Sequence, residues 1–332
     1  MNVRTLKILA GVVAILFVVY LITGRDAKIA ENELLFPGLK AQINGVTTVS
    51  IQRGGESITV AKSDGDWTVN ERDGYVADVG RLRELLIALA DARIIEIKTS
   101  NPDKYHLLGV DESADGENEA VLFSIKGNDF DYRIIIGKTA QTKYRYARIP
   151  DNAQSVLIDQ NPELPEGISG WLLRDILDIG ADRVARITIR HVDGEEILIE
   201  KESQDTTDYQ VLNIPEGREL SYATVANGVG AALGGLTFDD VRASTEDTAV
   251  PAVVTTFETF DGLTLAIAST LEEETSWITV TASAEPSVED NAATKAEADE
   301  INGKAAQWQY KIPDYKANLL KRRFSDILKE SD

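Results

Sequence analysis

His106 and His191 are the only imidazoles in the chain, they lie far apart in sequence, and no cysteine exists to complete a zinc site beside either. Both are therefore expected to be ordinary polar or partly packed side chains. The acidic stretch Asp111, Asp115, Gly116, Glu117, Glu119 has part of the spacing of a calcium loop. Its third position is Ser113, however, and Leu122 stands where the closing carboxylate belongs, so no metal site is expected there. Gly228, Gly230 and Gly234 give G-x-G-x-x-x-G, one residue too long for a dinucleotide fingerprint and inside a predicted helix rather than after a strand. Small residues at that spacing are expected to let the helix pack closely. No G-x-x-x-x-G-K-[ST] phosphate loop occurs, and Gly167-Ile168-Ser169-Gly170 lacks the spacing of a nucleophile elbow. The absence of cysteine removes thiol nucleophiles, thiolate metal sites, disulfides and lipoprotein acylation together. Carboxylates are too many and too scattered for a glycosidase pair to be chosen, since that pairing is a distance in space. No catalytic, cofactor-binding or metal-binding residue is nominated, and the chain is expected not to be an enzyme.

The elements that would carry any site must be read from composition and periodicity. The chain has 332 residues, which suggests about two compact units. Hydrophobic residues make up 43% and charged residues 27%, a globular balance rather than a disordered one. The formal charge of -21 opposes affinity for nucleic acid or anionic headgroups, both of which attract through Lys and Arg, so no nucleic-acid partner is expected.

Residues Ile8 to Gly24, ILAGVVAILFVVYLITG, contain no charge over 17 positions, near the lower limit for a helix that spans a bilayer. Arg4 and Lys7 precede them without an acidic neighbour, which is expected to keep the amino terminus cytoplasmic and to place the body on the periplasmic side of the bacterial inner membrane. A cleaved signal peptide would need small residues before its cut. Stopping after Gly24 puts Ile22 at minus three, and stopping after Ala30 puts Lys28 there, so an uncleaved single-pass signal-anchor is expected.

Beyond the anchor, Val46 to Arg53 and Ser57 to Lys62 alternate apolar and polar residues around Gly54-Gly55, a hairpin pattern. Asp66 to Val69 adds a short strand with Trp67 at the core's edge. Val79, Leu82, Leu85, Leu86 and Leu89 then form a helical stripe, with Asp78 before it as a candidate N-cap. Ile94, Ile95 and Ile97 resume strand character. Further strands are predicted at Val121 to Lys126, Asp131 to Gly137, Lys143 to Arg148 and Ser155 to Asp159, ahead of a turn of helix at Trp171 to Leu177. Trp67, Tyr75, Tyr105, Tyr144, Tyr146 and Trp171 fall at element edges, where aromatic side chains cap cores.

The second half repeats this order. Val49 and Ile51 recur as Ile187 and Ile189; Ile58, Val60 and Lys62 recur as Ile197, Ile199 and Lys201, one inserted residue further on. Trp67 and Val69 meet Tyr209 and Val211, the helix exit Leu89 to Ile97 meets Leu233 to Val241, and Asp175-Ile176-Leu177 is echoed by Asp326-Ile327-Leu328. Val253 to Phe257, Leu263 to Ile267 and Trp277 to Thr281 supply the later strands. The fold class expected is α+β: an N-terminal transmembrane helix, then two tandem repeats of mainly antiparallel sheet with packed helices. The boundaries are 1–24 for the cytoplasmic tip and anchor, 25–40 for a stalk, 41–180 for the first repeat and 181–332 for the second. Residues 284–304, poor in apolar side chains, are expected to be a mobile insertion. Leu34, Leu35, Phe36 and Leu39 give the stalk an apolar face whose partner, membrane or body, stays open.

The run Trp67-x-Val69, Tyr75, Ala77-Asp78, the leucine stripe, Lys104-Tyr105-His106-Leu107-Leu108-Gly109-Val110-Asp111, Ile135-Ile136-Gly137 and Tyr144-x-Tyr146-x-Arg148 resembles the bacterial family called domain of unknown function 4340 (DUF4340). The resemblance covers roughly residues 60 to 180 well and the second copy more weakly. His106-Leu107 stand inserted where the family often runs Tyr-Gly-Leu. The resemblance implies an N-terminal membrane segment, an exported β-rich body and a genetic neighbourhood that includes an ABC transporter with its auxiliary membrane subunits. It implies no reaction, so no catalytic residues carry over. The expected function is a non-catalytic, membrane-anchored envelope protein, accessory or scaffold to an ABC-transporter-type complex. The alternative is a periplasmic binding module for a cell-wall or lipid fragment in a cleft between repeats; a hydrolase with an unconventional carboxylate site ranks last.

Overall fold

The computed structural model describes residues 31–112, 120–245, 250–272, 275–285 and 292–330. The anchor at Ile8 to Gly24 with Arg4 and Lys7, and the calcium-like positions Ser113, Asp115, Gly116, Glu117 and Glu119, lie outside the described residues. Among the described residues no helix is long and apolar enough to cross a membrane. The architecture is mainly antiparallel sheet with a few helices, α+β in character.

In chain order the strands are β1 (Val46–Arg53), β2 (Glu56–Ser63), β3 (Asp66–Val69), β4 (Tyr75–Val76), β5 (Ile94–Ile97), β6 (Val121–Gly127), β7 (Asp131–Ala140), β8 (Tyr144–Arg148) and β9 (Ser155–Ile158). The second half adds β10 (Asp175–Leu177), β11 (Val184–His191), β12 (Glu196–Glu200), β13 (Gln210–Val211), β14 (Leu236–Thr237) and β15 (Asp240–Ala243). It ends with β16 (Val253–Thr259), β17 (Leu263–Glu272), β18 (Thr275–Ala284) and β19 (Trp308–Lys311). Contacts divide the described residues into two compact units: unit 1 is those up to 68 and within 79–167, and unit 2 is those within 69–78 and from 168 on.

Unit 1 carries eight of the nine strands of the first sheet, in the order β3-β2-β1-β6-β7-β8-β9-β5, with β4 as the ninth. Gly54 and Gly55 both take positive φ, 54° and 86°, which a two-residue hairpin of this twist requires and which glycine adopts without steric cost. The resulting register, Ile51 opposite Ile58 and Phe123, turns Val49, Ile51, Val60, Phe123 and Ile125 onto one buried face. The helix Val79–Asp91 buries Leu82, Leu85, Leu86 and Leu89, each worth about 1.5–3 kcal/mol of burial. Val79, the first residue of the stripe, is left 36% exposed. The apolar face of the stalk belongs to unit 1: Leu35, Phe36 and Leu39 are buried, the Leu35 N–H donates to the Ala92 carbonyl, and the Phe36 ring tilts against Tyr132 at 5.0 Å.

Unit 2 arranges its eight-stranded sheet as β13-β12-β11-β16-β17-β18-β19-β15. Position for position this is the order in unit 1, with β11 in the place of β1 and β16 in the place of β6. The irregularity between Val46 and Thr48 of β1 recurs between Val184 and Arg186 of β11, at the same spacing from the aligned isoleucines. Arg53 pairs directly with Glu56, whereas the His191 N–H reaches Glu195 across Val192-Asp193-Gly194, so the hairpin loop has one more residue. The pairing of Ile187 with Phe257 builds the core as Val49 with Ile125 does in unit 1.

Four expectations are corrected by the structure. The segment Trp171 to Leu177 is a 3-10 turn at Ile168–Trp171 followed by β10, because Asp175 and Leu177 pair with Thr237 and Leu236 of β14 and so satisfy their backbone in a ladder. The helix predicted around Gly228 to Gly234 shrinks to Asn227–Gly230, since glycine forfeits helix stability through backbone entropy. Asp326 and Ile327 lie in a short helix, Phe324–Ile327, unlike Asp175 to Leu177. Residues 292–304 of the expected mobile insertion belong to a helix, Ala292–Ala305, with Thr294, Ala298 and Ala305 buried. β19 pairs with β18 only at Trp277 and Ile278, leaving the rest of that edge uncovered. The Asn302 amide fills part of the gap: its Nδ2 donates to the Ala282 carbonyl at 2.8 Å and its Oδ1 accepts from the Ala282 N–H at 2.8 Å. Arg183 adds a bidentate pair to Glu297 at 2.7 and 2.6 Å, with Asp261 on its other side. Polar docking thus replaces the apolar surface this helix lacks.

The unit boundary also falls elsewhere than at 180. Residues 69–78, expected in the first repeat, belong to unit 2, where Tyr75 is 6% exposed and stands edge-on to Trp308 at 4.8 Å and to Phe238 at 5.3 Å. Arg72 forks onto Asp240 at 2.6 and 3.2 Å, and Asp73 accepts from the Ala243 N–H at 3.0 Å.

Candidate functional site

The two sheets carry a depression at the same place, where β1 ends beside the start of β6 and where β11 ends beside the start of β16. In unit 1 it has a volume of about 250 Å³ and is lined by Arg53, Glu56, Asp111 and Glu112 over a floor of Ala120, Leu122 and Ile135. In unit 2 it has about 200 Å³, with His191, Lys321 and Arg323 around Ala252, Val253, Ser269, Thr270 and Ser276. The last side chain of the first strand is tied in both units to the chain that follows the last strand. Arg53 donates to the Pro165 and Leu164 carbonyls at 3.3 and 3.4 Å, and His191 Nε2 lies 3.0 Å from the Arg322 carbonyl. A carbonyl only accepts, so the His191 proton sits on Nε2.

The wall of the unit 1 depression is built by the residues that carry the sequence resemblance. Pro102–Lys104 and Tyr105–Leu108 form consecutive helical turns, ended by Gly109 at φ +66°. The Arg148 guanidinium lies 4.5 Å from the Tyr105 ring centroid. It donates to the carbonyls of Val110 at 3.1 Å, Pro150 at 3.0 Å and Asn152 at 3.3 Å, and to Glu112 Oε1 at 2.9 Å. Gly137 is needed beneath this loop, because a Cβ there would stand 2.3 Å from the Leu108 carbonyl oxygen. The arginine is spent on holding the loop, and Asp111 and Glu112, the latter in its grip, line the depression.

In unit 2 the corresponding rim is basic. Lys321 Nζ donates to Ser276 Oγ at 3.0 Å, and Arg323 reaches Asp193 at 2.8 Å and Glu195 at 2.6 Å. Asp193 is held below the usual carboxylate range first by the Glu195 N–H and then by Arg323. The Arg323 guanidinium is correspondingly pushed up by its hydrogen bonds to Glu195 and Asp193.

The structure does not bring the two histidines into one site. His106 is exposed on the 105–108 turn of unit 1, and His191 is 4% exposed in unit 2. Leu122 lies in β6, and among the described residues no group of three His, Cys, Asp or Glu side chains is placed to hold a metal ion. The glycines have packing roles: a Cβ on Gly230 would meet the Tyr209 ring at 2.2 Å, and one on Gly228 would touch Leu319 at 3.2 Å.

One buried cation escaped the sequence reading. Lys316, 7% exposed in the helix Asp314–Leu320, donates to the Ala232 and Gly234 carbonyls at 2.9 and 2.7 Å. Burial lowers its pKa, opposed by the charge of Asp178. Its spacing from Leu320, one helical turn on, was the available signal that it faces inward.

The model of a domain of unknown function, DUF4340, matches residues 67–253, more than half of the chain and from β3 to the first residue of β16. No curated protein and no solved structure matches the chain.

Proposed function

Given that the chain belongs to the DUF4340 family, we propose that it is a non-catalytic, membrane-anchored scaffold of the bacterial envelope, accessory to an ABC-transporter-type complex. Ile8 to Gly24 is the anchor, with Arg4 and Lys7 holding the amino terminus in the cytoplasm and the body on the periplasmic face. The body is a tandem duplication of one antiparallel module.

The observation that carries this reading is the matching order of eight strands in each of the two sheets, β3-β2-β1-β6-β7-β8-β9-β5 and β13-β12-β11-β16-β17-β18-β19-β15. A doubled module offers related surfaces to a partner without a reaction centre. The use of conspicuous polar side chains in holding loops, Arg148 at Val110 and Arg183 at Glu297, favours the same reading. The transporter partner is what the family resemblance implies. Extraction of tagged full-length chain in mild detergent, followed by identification of co-purifying proteins, tests it. Transporter subunits should be retained with the anchor intact. Recovery of the body only as a free soluble monomer would sink the proposal.

A further inference from the structure

Three buried polar side chains of unit 2 converge on one depression: His191, Ser269 and Ser276, which are 4%, 6% and 7% exposed. Burying hydroxyl groups is costly unless they are bonded, so a floor made of two of them needs an explanation. Ser276 Oγ accepts from Lys321, which leaves its own proton for another acceptor.

Above this floor stands Lys321-Arg322-Arg323, the only three consecutive basic residues in a chain of net charge -21. Arg323 is neutralised by Asp193 and Glu195. Lys321 instead donates to a neutral hydroxyl, and among the described residues it forms no ion pair. Lys321 and Arg323 also line a second depression, with Asn318, Arg322 and Asp326. The outer wall is aliphatic, with Val192 74% and Leu271 60% exposed. His191 is a positioning residue: its bond to the Arg322 carbonyl fixes the backbone next to Lys321.

We propose that this depression binds a phosphate group, with the Lys321 ammonium and the Ser269 and Ser276 hydroxyls meeting its oxygens. A charge-assisted bond to an ammonium is stronger than a neutral one, and hydroxyl donors suit tetrahedral oxygens. The matching place in unit 1 sets Glu56, Asp111 and Glu112 against the one cation Arg53, which is held by the Pro165 and Leu164 carbonyls, so the preference for an anion belongs to unit 2. The phosphate can come from a lipid headgroup or from a soluble ion; the exposed Val192 and Leu271 favour a ligand with an acyl tail, whose first methylenes they would cover.

The test is calorimetric titration of the full-length chain in neutral detergent with inorganic phosphate and, separately, with dihexanoyl phosphatidic acid. At least one probe should bind, and Lys321→Gln and Ser269→Ala should each weaken that binding, the former by about tenfold. Glu56→Gln in unit 1 should leave it unchanged. Tighter binding of the phosphatidic acid assigns the source to lipid, and equal affinity assigns it to the soluble ion. Absence of binding by both probes, or undiminished affinity in a folded Lys321→Gln protein, overturns the proposal.

Discussion

The Lys201 ammonium lies 5.3 Å from the centroid of the Tyr209 ring, at the end of β12 and just ahead of β13. Lys62 and Trp67 make the same contact at 5.6 Å between β2 and β3. These are the residues that the sequence alignment of the halves had placed opposite one another. In unit 2 the pair is reinforced: the Tyr209 hydroxyl donates toward the Ala181 and Val184 carbonyls, at 2.7 and 3.0 Å, and Lys201 Nζ donates to Ala181 at 3.2 Å.

Tyr209→Phe removes the shared donor and leaves buried carbonyls short of a partner. The expected loss is about 1–2 kcal/mol of stability, read as a lower urea midpoint. An unchanged midpoint would mean that Lys201 alone satisfies Ala181.

High pH should destabilise unit 2 through its tyrosines. Burial pushes the Tyr209 pKa up to about 12, with the Asp182 charge adding to it, and burial also raises Tyr75 and Tyr310. A folded pKa above the unfolded value means that the neutral form stabilises the fold fully below the unfolded pKa, about 10, and that this contribution is lost as pH rises through the folded value. Phenolate absorbance from these three residues should appear together with unfolding, between about pH 10 and 12 for Tyr209. Titration of all ten tyrosines near their ordinary value in folded protein would contradict this.

Gly137→Ala tests the loop clamp of unit 1. The added methyl must displace the Leu108 carbonyl, which is backbone and cannot swing aside, so a loss of about 1–3 kcal/mol is expected. Arg148→Lys should cost a similar amount, because an ammonium cannot reproduce the fork that reaches Val110, Pro150 and Glu112 together. Differential scanning calorimetry of each variant gives the answer.

Asn302→Ala should loosen the helix Ala292–Ala305 without unfolding the sheet. Both amide bonds to Ala282 disappear, and limited proteolysis should then cut within residues 292–305 well before the rest of unit 2 is attacked. Resistance equal to wild type would show that Arg183 and the buried alanines suffice.

Much of the strand pattern was legible, because period-two alternation and paired glycines are local signals. Gly54-Gly55 fixed the β1–β2 turn, and the spacing of Ile187, Ile189, Ile197 and Ile199 located β11 and β12. Less legible was anything that depends on distant partners. The helix Ala292–Ala305 docks through Asn302 and Glu297, whose value exists only beside Ala282 and Arg183. Asp175 to Leu177 is a strand only because β14 lies beside it. The depressions were invisible for the same reason, since His191 and Lys321 are 130 positions apart and meet through the strand order.

The aromatic set around Tyr75 has a temporal meaning. Its partners Trp308 and Tyr310 are more than 230 residues downstream, so a ribosome making this chain releases Tyr75 long before they exist. The backbone of residues 76–78 can pair once Trp171 to Leu173 are made, but the Tyr75 ring must wait for Phe238, Trp308 and Tyr310, and closing so long a loop is slow. Maturation of the second unit therefore has a late checkpoint: chains stalled before residue 308 should hold an exposed Tyr75 segment for chaperones to find.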